Sequence, residues 1–142
     1  MVEKAFIDWA YVDNWVNKLA ELISENEIKY DYIVALGRGG LIPGAMLSYK
    51  LGIKNLQNLG INTRQEDGKY LETLVYQRPT ISGNVLVVDD INDSGKTFEA
   101  VDSLISKEYS VDQLTYCSIV KRYSSTFKKD TIQAVDTSID DW

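Results

Sequence analysis

The chain has 142 residues, 44% hydrophobic and 25% charged, with 15 Lys and Arg against 21 Asp and Glu for a net charge of -6. That length and balance fit one ordered domain, residues 1–142, and the acidic surplus gives nucleic acid or an anionic membrane nothing to attract in bulk. A single Cys excludes an intramolecular disulfide and a multi-Cys zinc site, and the lack of His removes imidazole bases, His-containing triads and His-ligated metals. No apolar run is long enough to span a bilayer and no basic-then-apolar leader opens the sequence, so a cytoplasmic location is expected.

In chain order, Asp8 is a candidate N-cap for an amphipathic helix in which Trp9, Val12, Val16, Leu19, Leu22 and Ile23 recur at helical spacing. Residues 32–36 form a short apolar run that stops at Gly37-Arg38-Gly39-Gly40. A helix over residues 41–51 follows, with Pro43 near its start and Gly52 as its stop. A second apolar run covers residues 55–61, then a polar tract, residues 62–69, carries the turn pair Asp67-Gly68. Residues 70–76 read as a return strand, broken by Arg78-Pro79. Val85-Leu86-Val87-Val88 is the clearest buried strand, and residues 96–107 are helical, with Phe98, Val101, Leu104 and Ile105 on one face. Strands are expected over residues 114–120, which hold Cys117, and 131–135. Cys117 in an apolar strand reads as an inert small hydrophobe, Trp9 and Trp15 as packing residues, and Lys128-Lys129 as a solvated charge pair.

Two strand–loop–helix units, residues 33–51 and 85–107, predict an α/β fold with a mainly parallel central sheet flanked by helices. In such sheets ligands sit at the carboxyl ends of the strands, so the loops at residues 37–40 and 89–97 are expected on one edge.

The run Val85-Leu86-Val87-Val88-Asp89-Asp90-Ile91-Asn92-Asp93-Ser94-Gly95-Lys96-Thr97 carries the chemistry. A strand delivers paired carboxylates, then a third, then a turn into a helix start. The turn offers backbone N–H groups and a positive dipole end, a cradle for phosphate, to which Ser94 and Thr97 add hydroxyls. Asp89 and Asp90 would repel that phosphate unless they face sugar hydroxyls or a hydrated Mg2+. The segment is not a P-loop, because Asp90 stands where the first Gly belongs. Taken alone, Asp93 reads equally as a helix N-cap, Gly37 to Gly40 as a flexible turn, and Lys121 as a solvated charge.

This run resembles the phosphoribosyl-pyrophosphate signature of type I phosphoribosyltransferases, with Ser94 where Thr is commoner, and Gly37-Arg38-Gly39-Gly40 resembles that family's pyrophosphate loop. From about residue 32 to 142 the layout is most similar to the short xanthine-guanine and hypoxanthine phosphoribosyltransferases. The resemblance implies transfer of the phosphoribosyl group from phosphoribosyl pyrophosphate to a 6-oxopurine, with Mg2+ as cofactor and a dimer or tetramer as the assembly. Asp89 and Asp90 would hold the ribose hydroxyls and Mg2+. Asp93, Ser94, Gly95, Lys96 and Thr97 would wrap the 5'-phosphate, and Arg38 with the Gly39 backbone would contact pyrophosphate. Asp93 would accept the purine proton, Ile91 and Trp142 would pack on the base, and Lys121 would donate to its 6-oxo group. The family often has a non-proline cis peptide in the first loop, here the Gly37–Arg38 bond, and residues 62–69 resemble its mobile covering loop, with Asn62-Thr63 in place of a Ser-Tyr pair. Family members carry a Pro-Trp-acidic tail beyond the tryptophan that helps read the purine 2-position, which leaves the preferred purine open. Two alternatives are a transferase for another nucleobase and a non-catalytic, nucleotide-sensing regulator on the same fold.

Overall fold

A computed structural model describes residues 8–67 and 69–138. The elements run α1 (Trp9–Glu25), β1 (Tyr32–Leu36), α2 (Leu41–Leu51), β2 (Leu56–Glu66), β3 (Lys69–Gln77), β4 (Gly83–Asn92), α3 (Lys96–Glu108), β5 (Val111–Arg122) and β6 (Thr131–Thr137). The six strands form one sheet in the order β3-β2-β1-β4-β5-β6. β3 pairs antiparallel with β2, and every other neighbouring pair is parallel.

Alternation along the central strands explains the layers. Ile33, Leu86, Val88, Cys117 and Ile119 face one side and pack with Val16, Leu19 and Ile23 of α1 and Leu47 of α2. Val34, Leu36, Val85, Val87 and Tyr116 face the other and pack with Phe98, Val101 and Ile105 of α3. Strands apolar on both faces belong in the middle of a parallel sheet. Burying each such Val, Leu or Ile contributes about 1.5–3 kcal/mol. The polar chain ends fit as expected: Asp8 accepts a hydrogen bond from the Tyr11 N–H at 3.1 Å, and Gly52 closes α2 at φ +68°.

The structure corrects several expectations. β4 does not stop at Val88 but pairs with β5 as far as Asn92, through Asp89↔Ser118, Ile91↔Val120 and Asn92↔Lys121. The acidic pair therefore lies in the sheet, held by its ladder, rather than in a loop. The polar tract at residues 62–69 belongs to strands rather than to an irregular loop. Asn62, Thr63 and Arg64 pair with Leu74, Thr73 and Glu72 in the β2–β3 hairpin, and Arg64 meets Glu72 at 3.0 Å. Strand alternation tolerates polar residues here because antiparallel edge strands expose one face. The pairing Glu66↔Lys69 leaves a two-residue turn, and Asp67 takes the φ of +52° that such turns require. Trp9 is 68% exposed and packs little, whereas Trp15 joins the α1 face of the core. Lys129 is not merely solvated, since its Nζ pairs with Asp102 Oδ1 at 2.8 Å.

Candidate active site

The register Ala35↔Val88 aligns β1 and β4 so that both loops leave the same edge of the sheet. Gly37 turns the chain at φ +54°, and its N–H donates to the Leu59 carbonyl at 2.8 Å. The expected cis bond at Gly37–Arg38 is absent: no peptide among the described residues is cis, and the positive φ of Gly37 makes the turn instead. Gly40 is held between the strands, where a Cβ would stand 2.3 Å from the Val88 carbonyl oxygen. Asn58, which belongs to no recognised motif, donates its amide N–H to the carbonyls of Ala35 and Gly37 at 3.0 and 2.9 Å. The sequence gives it no distinct signal, because Asn55 and Gln57 are amides in the same run.

These elements enclose a cleft of about 340 Å3, lined by Gly37, Arg38 and Gly39 from the first loop and by Asp89, Asp90 and Thr97 from the second. Asn62, Thr63 and Tyr76 of the hairpin complete its wall. A smaller hollow of about 50 Å3 adjoins it, sharing Asp89 and Thr97 and adding Ile91, Asn92, Asp93, Ser94 and Gly95. Larger hollows of about 410 and 500 Å3 lie at the C-terminal ends of α1 and α2 and beside α3, and hold none of the motif residues.

Burial pushes the Asp89 carboxyl well above the usual carboxylate range, and the neighbouring Asp90 charge pushes it further the same way. Its Oδ1 accepts from the Asp90 N–H at 2.9 Å, and Asp90 Oδ1 accepts from the Ile91 N–H at 2.8 Å. A cation beside the two carboxylates would relieve the repulsion that the Asp90 charge exerts on Asp89. The pair suits Mg2+, which binds through one or two carboxylates and keeps waters or phosphate oxygens for its other positions. Among the described residues no cluster of three or more acidic, Cys or His side chains offers an all-protein metal cage.

The second loop ends at Gly95, with φ +88°, directly before the 13-residue helix α3. The N-cap position is Gly95, which has no side chain, so Asp93 is not the N-cap, and Ser94 Oγ accepts from the Lys96 N–H at 3.3 Å. Gly95, Thr97 and Phe98 of this helix start line the hollow, the place where a helix N-terminus can hold an anion. The Lys96 ammonium meets Glu99 at 3.5 Å, and Lys96 lines neither hollow. Thr97 Oγ1 lies 3.4 Å from Thr63 Oγ1, tying the helix start to the hairpin.

The connection between β5 and β6 buttresses this loop, which no sequence motif signalled. Ser125 Oγ donates to Asn92 Oδ1 at 2.8 Å, the Thr126 N–H donates to the Ser94 carbonyl at 2.9 Å, and Arg122 pairs with Asp93. Lys121 stands half-buried at the end of β5, beside Asn92 in the ladder, and lines neither hollow. Arg38, Gly39, Asp89, Asp90, Ile91, Asp93, Ser94, Gly95 and Thr97 are thus brought together, while Trp142 lies outside the described residues.

A mainly parallel sheet with a helix N-terminus and paired carboxylates at the carboxyl ends of its strands defines an α/β protein with a candidate ligand site at that edge. The family described as "Phosphoribosyl transferase domain" matches residues 8–142, and the chain belongs to it. The chain is similar to the purine phosphoribosyltransferase of Pyrococcus horikoshii Ot3, at 25% identity and a TM-score of 0.82, covering 99% of this chain and 91% of that one. It is also similar to a hypothetical protein from Neisseria gonorrhoeae with bound ppGpp, at 25% identity and a TM-score of 0.83, covering 100% of this chain and 87% of that one. The xanthine-guanine-hypoxanthine phosphoribosyltransferase of Helicobacter pylori shares the fold, at 20% identity and a TM-score of 0.77, over 92% of this chain and 85% of that one. Orotate and adenine phosphoribosyltransferases share it as well.

Proposed function

We propose that this chain transfers the 5-phosphoribosyl group from phosphoribosyl pyrophosphate to a 6-oxopurine, hypoxanthine, guanine or xanthine, in purine salvage. The observation that carries the reading is the meeting of the Gly39 backbone with the Asp90 carboxylate, which sets a pyrophosphate loop against a ribose grip. The backbone N–H groups around Ser94 to Thr97 hold the 5'-phosphate, and Asp89 and Asp90 hold the ribose hydroxyls. Arg38 and the Gly39 N–H take charge as it builds on the departing pyrophosphate. The bond from the ribose anomeric carbon to the pyrophosphate oxygen breaks, a bond from that carbon to a purine nitrogen forms, and Asp93 accepts the proton the purine loses. Ile91 packs on the base, and Lys121 donates to the 6-oxo group, an acceptor that the 6-amino group of adenine does not match. Mg2+ held at Asp89 and Asp90 would supply further charge neutralisation for the leaving group.

The reading carries with it a cytoplasmic location and a dimer or tetramer, for which exposed Leu41, Ile42 and Tyr49 on α2 supply apolar surface. No helix among the described residues is long and apolar enough to cross a membrane.

Incubation with phosphoribosyl pyrophosphate, MgCl2 and each nucleobase in turn tests the proposal, scored by nucleotide formed. Product with hypoxanthine, guanine or xanthine is expected, and product only with adenine, orotate or uracil would assign a different base. The Asp93→Asn variant should keep its phosphate site and lose about 100-fold or more in kcat. The Neisseria relative, whose structure holds ppGpp, favours a second reading as a nucleotide-sensing regulator without catalysis. Tight binding of ppGpp by a protein that makes no nucleotide from any base would establish that reading instead.

A further inference from the structure

The register pair Asn92↔Lys121 is the last rung between β4 and β5. The next residue on each strand is Asp93 and Arg122, so the ladder itself delivers these two side chains to one place, although 29 residues separate them. An Arg122 Nη1 donates to Asp93 Oδ1 at 2.5 Å. The pair is lopsided: the Arg122 side chain is 14% exposed and the Asp93 side chain 58%. Arg122 is also the firmer end. Its backbone pairs with Thr137 on β6, and its carbonyl accepts from the Ser125 N–H at 3.0 Å. Asp93 by contrast sits past the end of its strand and before the start of α3, in a stretch with no ladder partner. Arg122 occupies Oδ1, while Oδ2 has no partner among the described residues and Asp93 faces the smaller hollow.

We propose that Arg122 is a positioning residue for catalysis, fixing the Asp93 carboxylate through Oδ1 so that Oδ2 is presented to the nucleobase as proton acceptor. The inference rests on the transferase reading above. A two-rotor carboxylate beyond the end of the ladder samples several directions, and a half-exposed ion pair adds little stability. An anchored guanidinium, planar and with its donors in a fixed fork, limits the carboxylate to one rotamer. A purely structural pair would need neither the free second oxygen nor the hollow beside it.

The test compares Arg122→Gln, Arg122→Lys, Asp93→Asn and the Arg122→Gln/Asp93→Asn double variant in the nucleotide-forming assay, with thermal melts alongside. Arg122→Gln is expected to lower kcat roughly 10- to 100-fold, the scale set by misplacing a reacting group by about 1 Å, with KM for phosphoribosyl pyrophosphate within about threefold of wild type. Arg122→Lys should recover part of the loss, since it restores the charge without the fork. In the Asp93→Asn background, Arg122→Gln should cost less than about threefold more, because a residue acting through another has nothing left to position. An Arg122→Gln variant with wild-type kcat, or one that loses the same factor whether or not Asp93 is present, overturns the inference. If Arg122→Gln fails to fold, full wild-type kcat in Arg122→Lys overturns it, and a kcat loss at unchanged KM upholds it. A wild type inactive with every base sinks the transferase reading and this inference together.

Discussion

A Cβ built on Gly39 would stand 2.7 Å from Oδ2 of Asp90 and 2.8 Å from its other two carboxyl atoms. The loop after β1 and the acidic end of β4 therefore meet without room for a methyl group. Gly39→Ala pushes the Asp90 carboxylate away from the cleft while leaving both core layers untouched. We expect normal folding by circular dichroism and a loss of roughly 10- to 100-fold in kcat/KM for phosphoribosyl pyrophosphate. Wild-type kinetics in this variant would mean that the contact is not part of the site.

Asp89, a candidate site residue, ties stability to pH through its raised carboxyl. Between the ordinary carboxylate range and its elevated native value, the folded protein binds a proton that the unfolded chain has released. Stability therefore falls as pH rises through that interval. Asp89→Asn removes both the burial of charge and the repulsion from Asp90. Measured by urea unfolding with EDTA present, it should be more stable at pH 7 by about 0.5–2 kcal/mol and lose the fall with pH, while transferase activity drops. A variant less stable than wild type at every pH would contradict this.

Gly95 holds φ +88°, and a Cβ there would stand 2.6 Å from the Phe127 nitrogen. Gly95→Ala thus meets both backbone strain and a rigid neighbour. We expect destabilisation of about 1–3 kcal/mol, seen as a melting temperature lower by roughly 3–15 °C. An unchanged melting temperature would show that the β5–β6 connection does not press on this loop.

Cys117 is fully buried, and burial, with the Asp89 charge as a lesser cause, pushes its thiol up. The native protein should not react with a thiol reagent at pH 8 and should react once unfolded in urea. Because the unfolded thiol ionises near about pH 8.5 while the native one stays protonated, stability falls above that pH by at most about 1.4 kcal/mol per pH unit. Comparing the slope with that of Cys117→Ala isolates this part, and identical slopes would contradict it.

The sequence by itself determined the strand–loop–helix units, the two-faced core and the two candidate ligand loops. Hydrophobic period and Gly placement are local signals, and the run from Val85 to Thr97 holds its chemistry in consecutive residues. Only the tertiary structure decided how far the strands run and what supports the site. Asp89 and Asp90 look like loop residues by composition, yet the pairing with β5 keeps them in the sheet. Residues 62–66 are polar, yet the hairpin orders them. Asn58 reaching Gly37, Gly39 abutting Asp90, and Arg122 reaching Asp93 each join segments far apart in sequence. Such contacts depend on strand order and register, and a one-residue slip in register would send every one of those side chains to the opposite face.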